Sequence, residues 1–408
     1  MQSKKIFNDP VYGFISFPFE LIYQIIDHRY FQRLRRIKQL GLTNYVFPGA
    51  QHTRFQHAIG AVHLAKQAIE TLRSKGNEIT DFEAEAVMIA VLLHDIGHGP
   101  YSHTLENCLV SVHHEEISLL FMQKLNDEFE GKLQCTIEIF TNRYPKKFLH
   151  QLVSSQLDVD RMDYINRDSF FSGVHEGTIS SERLIRMMDV RNEELVIEQK
   201  GIYSVENFII SRRLMYWQVY LHKTVICAEQ ILVNILKRAK YLSIKGENLW
   251  ATPALNFFLR NSILKKDFEN DLLVLENFSQ LDDFDIFTAI KVWTKHSDKV
   301  LSYLCHTLVE RKLFRIRLEN NPPDQKLIDQ KLKQVSESFG LSKEESDYLV
   351  FTDSTSNSAY NPHTGKINIL FKDGKIMNVA DASDQLNIPV LSEPVVKYFL
   401  CYPKELDK

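Results

Sequence analysis

The sequence predicts a mainly α fold, a large helical core followed by a smaller C-terminal α+β lobe that contains a β-hairpin. Three observations carry this. The run Val87-Met88-Ile89-Ala90-Val91-Leu92-Leu93 is apolar on every face, as in a helix buried among other helices. Apolar residues recur three and four apart from Thr53 to Ser74 and again over 204–241. Late in the chain the pattern changes: 347–352 and 366–379 read as strands. There, Asp373-Gly374 between Ile369-Leu370-Phe371 and Ile376-Met377 is a strong hairpin signal. A core over residues 1–300 and a lobe over 301–408 are expected from the 408-residue length.

The elements follow in order. Residues 5–16 are short, aromatic and turn-rich, and read as extended. A helix is expected from Pro18 to Gln39, with Arg29, Arg33, Arg35, Arg36 and Lys38 among its apolar residues. A second runs from Thr53 to Ser74, with His52, His57 and His63 on or beside it. Asp81 is placed to cap the third, which delivers His94 and Asp95 at its end, where Gly97, Gly99 and Pro100 break it. A fourth starts at His113-His114-Glu115-Glu116, and 130–150 is another helical stretch. Asp158, Asp160, Asp163 and Asp168 fall in eleven residues, in step with Leu157, Met162, Tyr164 and Ile165. On that helix Asp160, Tyr164 and Arg167 are expected to share a face. A small hairpin is expected around Lys200-Gly201 and one long helix over 204–241. Further helices are expected at 252–264, 284–297 and 298–309. Pro322-Pro323 breaks the polar segment 318–345.

Composition narrows the function classes. The formal net charge of −3 offers no basic stripe for an extended nucleic-acid surface. The five cysteines, Cys108, Cys135, Cys227, Cys305 and Cys401, show no paired spacing and suit reduced thiols. No signal segment opens the chain, and no apolar run approaches the roughly 18 residues that span a bilayer. A soluble cytoplasmic protein without a membrane partner is expected.

The chemistry concentrates in His94-Asp95-Ile96-Gly97-His98-Gly99-Pro100-Tyr101-Ser102-His103. A buried helix that ends in an imidazole and a carboxylate needs those groups paired or bound to metal. His57, His94, Asp95 and Asp160 could form one ligand set if three helices meet. The set contains no cysteine, which favours an open catalytic site over a closed structural one. A metal can acidify bound water for attack on phosphorus. His98, His103 and His114 can then supply a proton to the leaving group. Arg54, Arg161, Arg167 and Arg212 can supply cations for phosphate charge.

These residues resemble the signature of the HD-domain metal-dependent phosphohydrolases. The stretches Phe47-Pro48-Gly49-Ala50, Arg54-Phe55-Gln56-His57, His94 to His103, His114-Glu115 and Asp158-Val159-Asp160-Arg161-Met162-Asp163-Tyr164 are similar to those of the dNTP triphosphohydrolases within that superfamily. The resemblance covers about residues 5–240, with the HD motif region at about 50–170. It implies hydrolysis of a deoxynucleoside triphosphate to deoxynucleoside and inorganic triphosphate, with water attacking the α-phosphate. It implies one divalent ion (Zn, Fe, Mn, Ni or Mg) on His57, His94, Asp95 and Asp160, and leaves room for a second Mg on the triphosphate. His98, His103 and His114 would surround the α-phosphate, with Glu106 supporting His114 as the leaving-group acid. Arg54, Arg161, Tyr164 and Arg212 would hold the triphosphate. Gln39, Leu40 and Asp168 would read the deoxyribose, and Tyr220 would pack near sugar and base. The family often has glutamine at the next position, where this chain has Leu221, so base preference stays open. Asp27, Gln32 and Arg35 match positions of an activating site for GTP or dGTP, which Lys5 and Asn8 could join, with Arg183 from another subunit. That site would imply a homo-oligomer, a dimer or tetramer.

Two other readings compete. One is an HD phosphohydrolase for a nucleoside monophosphate, a cyclic nucleotide or a signalling nucleotide. The other is a nucleotide-sensing or nucleic-acid-binding protein in which catalysis is secondary.

Overall fold

The N-terminal stretch forms a hairpin of β1 (Phe7–Asp9) and β2 (Gly13–Ile15), whose turn is held by Asp9 Oδ1 accepting from the amides of Val11 and Tyr12 at 2.9 and 3.0 Å. The computed structural model describes residues 5–102, 108–358, 360, 365–384 and 393–407. The single helix expected from Pro18 to Gln39 is broken into α1 (Glu20–Asp27), α2 (Arg29–Gln32) and a 3₁₀ turn over Arg33–Arg36. The break falls at His28, which has extended backbone (ψ 142°) and whose Nδ1 accepts from the Tyr30 amide at 3.3 Å, capping α2. Beyond the turn the chain is extended, and Lys38 bridges Thr53 in antiparallel fashion.

The catalytic-looking segments lie on three helices, of which α3 (Arg54–Ser74) packs on both α4 (Asp81–Leu93) and α8 (Val159–Ser172). Helix α4 is buried from Ala86 to Leu93 without interruption, as its apolar run requires. Its cap is Thr80 rather than Asp81. Thr80 Oγ1 accepts the Glu83 amide at 3.2 Å, and Glu83 accepts the Thr80 amide at 2.8 Å. Asp81 stands one residue inside, where it still suits the positive helix end. Between α4 and α8 come α5 (His114–Glu128), α6 (Gln134–Phe140) and α7 (Lys147–Val153). The helical stretch expected over 130–150 is thus two helices, parted by a turn in which Asn142 is left-handed (φ 56°).

After α9 (Ser181–Arg186), β3 (Met188–Arg191) and β4 (Glu194–Glu198) form a tight hairpin. Its two turn residues, Asn192 and Glu193, both have positive φ (55° and 60°), which matches the strand twist. The hairpin expected at Lys200-Gly201 is therefore displaced toward the N-terminus, and those residues form a 3₁₀ turn into α10 (Ile202–Met215). The long helix expected over 204–241 is also divided. A π-helical turn, Tyr216–Tyr220, follows α10, and α11 (Lys223–Ile244) restarts at an angle of 56°. His222 Nδ1 accepts the Thr224 amide at 3.2 Å and caps the new start.

Helices α12 (Pro253–Arg260), α13 (Lys265–Asn270), α14 (Leu272–Gln280), α15 (Asp283–Trp293) and α16 (Lys299–Val309) follow. The C-terminal portion contains β5 (Arg315–Glu319), α17 (Gln325–Phe339), β6 (Phe351–Asn357), β7 (Asn368–Leu370), β8 (Ile376–Asn378) and β9 (Val395–Tyr402). Strand β9 lies between β5 and β6, antiparallel to both. The β7–β8 hairpin turns at Asp373-Gly374 as expected, with Gly374 at φ 86°. Strand β7 also runs parallel to β4, so one sheet of order β3-β4-β7-β8 joins the two portions of the chain. No single helix among the described residues is long and apolar enough to cross a membrane.

Candidate active site

Three helices bring four groups to one point. His57 comes from the first turn of α3, His94 and Asp95 from the end of α4, and Asp160 from the first turn of α8. Asp160 Oδ1 lies 3.1 Å from His57 Nε2 and 3.3 Å from His94 Nε2. Asp95 Oδ1 is 3.4 Å from His94 Nε2, and its Oδ2 is 3.8 Å from His57 Nε2. Both Nε2 atoms are buried, and neither has a well-aligned hydrogen-bond partner among the described residues. Orphaned acceptors beside two carboxylates suit a cation, so His57, His94 and Asp160 fit a divalent metal with Asp95 beside them, and Asp95 also forms a second such group with His98 and His114.

The opposite ring nitrogens are fixed. His57 Nδ1 pairs with Asp163 Oδ2 at 2.8 Å, and His94 Nδ1 pairs with the Val91 carbonyl at 2.6 Å. Each bond holds the proton on Nδ1 and turns the Nε2 lone pair inward. Asp163 is held in turn by Arg167, whose guanidinium also reaches Asp9 at 2.8 Å. Arg167 is fully buried in this ion cluster, so it braces the fold and is not a phosphate cation. Its side chain turns to Asp163 and Asp9, and it does not line the cavity that Asp160 and Tyr164 line. Gly60 gives the cluster room, since a Cβ there would overlap both Arg167 Nη2 and Asp163 Oδ1.

Burial would raise the Asp95 and Asp160 carboxyls. The His94 and His57 imidazoles, and for Asp95 also Arg54, hold both below the usual carboxylate range. Burial lowers the imidazoles, but the surrounding carboxylates push His57 up to about 10 and His94 up to about 9. Raised folded values give stability that is complete below the unfolded value near 6.5 and fades as pH rises toward the folded ones. Protein stripped of metal should therefore lose melting temperature steadily between pH 6.5 and 10. Melts in chelator across that range test this, and a flat or rising profile would contradict it.

The loop after α4 is clamped from several sides. Ser118 Oγ donates to the His94 carbonyl at 2.8 Å and accepts the Gly97 amide at 2.9 Å. Arg33, fully buried, donates to the carbonyls of Ile96, His98 and Leu281 at 3.1, 2.6 and 2.9 Å. Asp283, at the start of α15, accepts the amides of Lys38 and Tyr101 at 2.9 and 3.0 Å. Arg54 pairs with Asp95 and donates to Ser102 Oγ at 2.6 Å. This clamp holds His98 with Nδ1 3.6 Å from Asp95 Oδ1 and its ring 3.8 Å from that of His114.

A cavity of about 530 Å³ opens from this point. Asp95, His98, His114, Asp160, Arg54 and Arg161 line it, as do Gln39, Leu40, Tyr164, Asp168 and Tyr220. Arg161 is held by Asp158, and Asp168 accepts from Tyr220 Oη at 2.7 Å. Arg212 stands behind Tyr216, 5.9 Å from its ring, and donates to Gln156 at 3.2 Å. His103 and Glu106 lie outside the described residues. The sequence alone did not single out Asp163, Ser102, Tyr216 or the α11 residues Glu229, Gln230 and Val233, all of which except Asp163 also line the cavity. For Asp163 the signal was present, one helical turn after Asp160 and four residues before Arg167.

The residues matched to an activating site are only partly together. Lys5 pairs with Asp27, Gln32 accepts from Arg35 Nε at 2.9 Å, and Arg35 lies 3.5 Å above the Phe55 ring. Asn8 pairs with Phe14 across the N-terminal hairpin. Arg183 bonds instead to Ser204 Oγ and the Lys200 carbonyl, both at 3.1 Å.

The arrangement is that of an HD domain. The HD domain family matches residues 54–168, and the HD associated region matches 179–251. Protein YwfO of Bacillus subtilis (strain 168) is 34% identical over 420 residues, spanning 100% of this chain and 94% of its own. The crystal structure of a phosphohydrolase from Bacteroides thetaiotaomicron VPI-5482 is 54% identical with a TM-score of 0.95, covering 98% of this chain and 100% of that one. The deoxynucleoside triphosphate triphosphohydrolase SAMHD1 homolog of Dictyostelium discoideum is 31% identical over 60% of this chain and 52% of its own length. The chain belongs to the HD-domain superfamily of phosphohydrolases. Within it, the chain resembles the dNTP triphosphohydrolases.

Proposed function

We propose that this hydrolase splits deoxynucleoside triphosphates into deoxynucleoside and inorganic triphosphate. The observation that carries the reading is one cavity lined by Asp95, Asp160, His98 and His114 together with two arginines, and also by the amide of Gln39, the carboxylate of Asp168, the phenols of Tyr164 and Tyr220 and the apolar Leu40. A divalent ion on His57, His94, Asp95 and Asp160 would supply an acidified water and counter-charge at the α-phosphate. His98 and His114, their rings 3.8 Å apart and tilted at 49° beside Asp95, would supply the proton that the leaving O5′ needs. Arg54, fixed by Asp95 and Ser102, and Arg161, fixed by Asp158, present cations already oriented for phosphate oxygens. Burial pushes the Tyr164 phenol well up, so it stays a neutral donor. Leu40 gives a 2′-hydroxyl no partner, which favours deoxyribose. By resemblance His103 and Glu106 complete the acid and Arg212 the triphosphate grip.

The proposal includes activation by GTP or dGTP at Lys5, Asn8, Asp27, Gln32 and Arg35, completed by Arg183 from a second subunit. Arg35→Ala should abolish activation by added guanine nucleotide while metal content stays at the wild-type level. Unchanged activation would leave Arg35 only its contacts with Phe55 and Gln32.

Product analysis tests the reaction itself. Purified protein with Mn²⁺ or Mg²⁺ is given each dNTP alone, then all four with GTP. Triphosphate plus deoxynucleoside is expected. Orthophosphate as the only product would move the reading to an HD phosphohydrolase of another nucleotide.

A further inference from the structure

One residue outside the set read from the sequence connects two polar groups in the cavity. The main-chain carbonyl of His52 accepts the Gln39 amide at 3.0 Å. Its side-chain Nε2 pairs with Asp168 Oδ1 at 2.7 Å, with both side chains buried. The ring lies nearly flat against Phe171, centroids 4.5 Å apart at 19°. Gln39 opens the turn after the Lys38–Thr53 bridge and Asp168 sits far along α8, so His52 is what ties their positions together.

Both tied groups are acceptors with capacity left. Gln39 Oε1 is buried and has no hydrogen-bond partner among the described residues. Asp168 gives one bond's worth of each oxygen to His52 and Tyr220, and a carboxylate accepts about four bonds in all. A buried acceptor without a donor is costly, so this part of the cavity calls for a ligand that brings a hydroxyl. On a deoxyribose with Leu40 facing the 2′ position, the available hydroxyl is at 3′.

We propose that His52 is a positioning residue that presents Gln39 and Asp168 as acceptors for the 3′-hydroxyl of the substrate sugar. This rests on the nucleotide reading of the cavity given above. His52→Phe keeps a ring against Phe171 and removes the donor to Asp168. His52→Gln restores an N–H near the Nε2 position.

The test is calorimetric binding of two probes to the protein as purified. These are 2′-deoxy and 2′,3′-dideoxy adenosine triphosphate analogues whose O5′ bridge is a methylene, which cannot be hydrolysed there. Wild type should bind the 3′-hydroxyl probe about tenfold to a hundredfold more tightly. His52→Gln should keep most of that preference. His52→Phe should bind both probes alike, with unchanged metal content. If His52→Phe melts early, His52→Asn, whose shorter amide cannot reach Asp168, must lose the preference in its place. Equal binding by wild type, or full preference in His52→Phe, would overturn the proposal. A preference that depends on His52, without triphosphate release from natural dNTPs, would uphold it while removing the hydrolysis reading.

Discussion

His94→Ala should strip the protein of its metal and reduce hydrolysis to background. Three facts make this the decisive residue. His94 Nε2 lies within 3.4 Å of both Asp95 and Asp160, so it is central to the cluster. Its Nδ1 is committed to the Val91 carbonyl, so no flip or tautomer offers a substitute. Among the described residues its ion pairs are with Asp95 and Asp160, both inside the cluster. Metal analysis and a triphosphate assay on one preparation check the result, and retained metal stoichiometry would show the ligand assignment to be wrong. Adding Asp95→Ala should change stability as well as activity. Asp95 is the carboxylate partner of buried Arg54, and breaking such a pair costs about 3–5 kcal/mol. The single variant should therefore melt near the metal-free wild type, and the double variant well below it. Equal melting of the two would mean that Ser102 alone satisfies Arg54.

The His94-Asp95 pair was legible because an all-apolar helix cannot end in two polar groups without a reason that lies in space. The same logic failed at Arg167. A cation one turn after Asp163 and seven residues after Asp160 can serve either, and nothing in the sequence says that Asp9, from the N-terminal hairpin, closes the cluster around it. Two misplaced helix breaks share a physical cause. His28 and His222 each cap a restart through Nδ1, at places with no proline or glycine. A histidine in an apolar periodic run looks like one more helical residue, because its capping role depends on which ring nitrogen faces the backbone. The Asn192-Glu193 turn was missed because its positive φ values fall on residues that rarely adopt them together. Asp373-Gly374 was found because glycine makes the same conformation nearly free of strain. The cavity's α11 wall, Glu229, Gln230 and Val233, carried no local signal, since only the 56° turn at Leu221-His222 brings it over Gln39 and Leu40.

Gly97→Ala should lower turnover by about a hundredfold while metal stays bound, the loss expected when a catalytic group moves by about 1 Å. A Cβ at Gly97 would overlap the His114 carbonyl oxygen and the Ser118 amide nitrogen, and would approach Ser118 Oγ to 2.8 Å. The first two are main-chain atoms of α5, which cannot swing aside as the end of a side chain can. Relief requires α5 to shift, and His114, its first residue, shifts with it away from the His98 ring. The proposed metal donors do not ride on α5. They sit on α3, α4 and α8, and α4 is buried from Ala86 to Leu93. Ser118→Ala separates spacing from hydrogen bonding. It removes the bonds to Gly97 and His94 yet adds no overlap, so it should cost about 1–3 kcal/mol of stability but much less turnover. If Ser118→Ala slowed turnover as much as Gly97→Ala, the hydrogen bonds rather than the close approach would set His114. If Gly97→Ala turned over at the wild-type rate, the placement of His114 by α5 would not matter to the chemistry, and the proton would have to come from another residue facing the cavity.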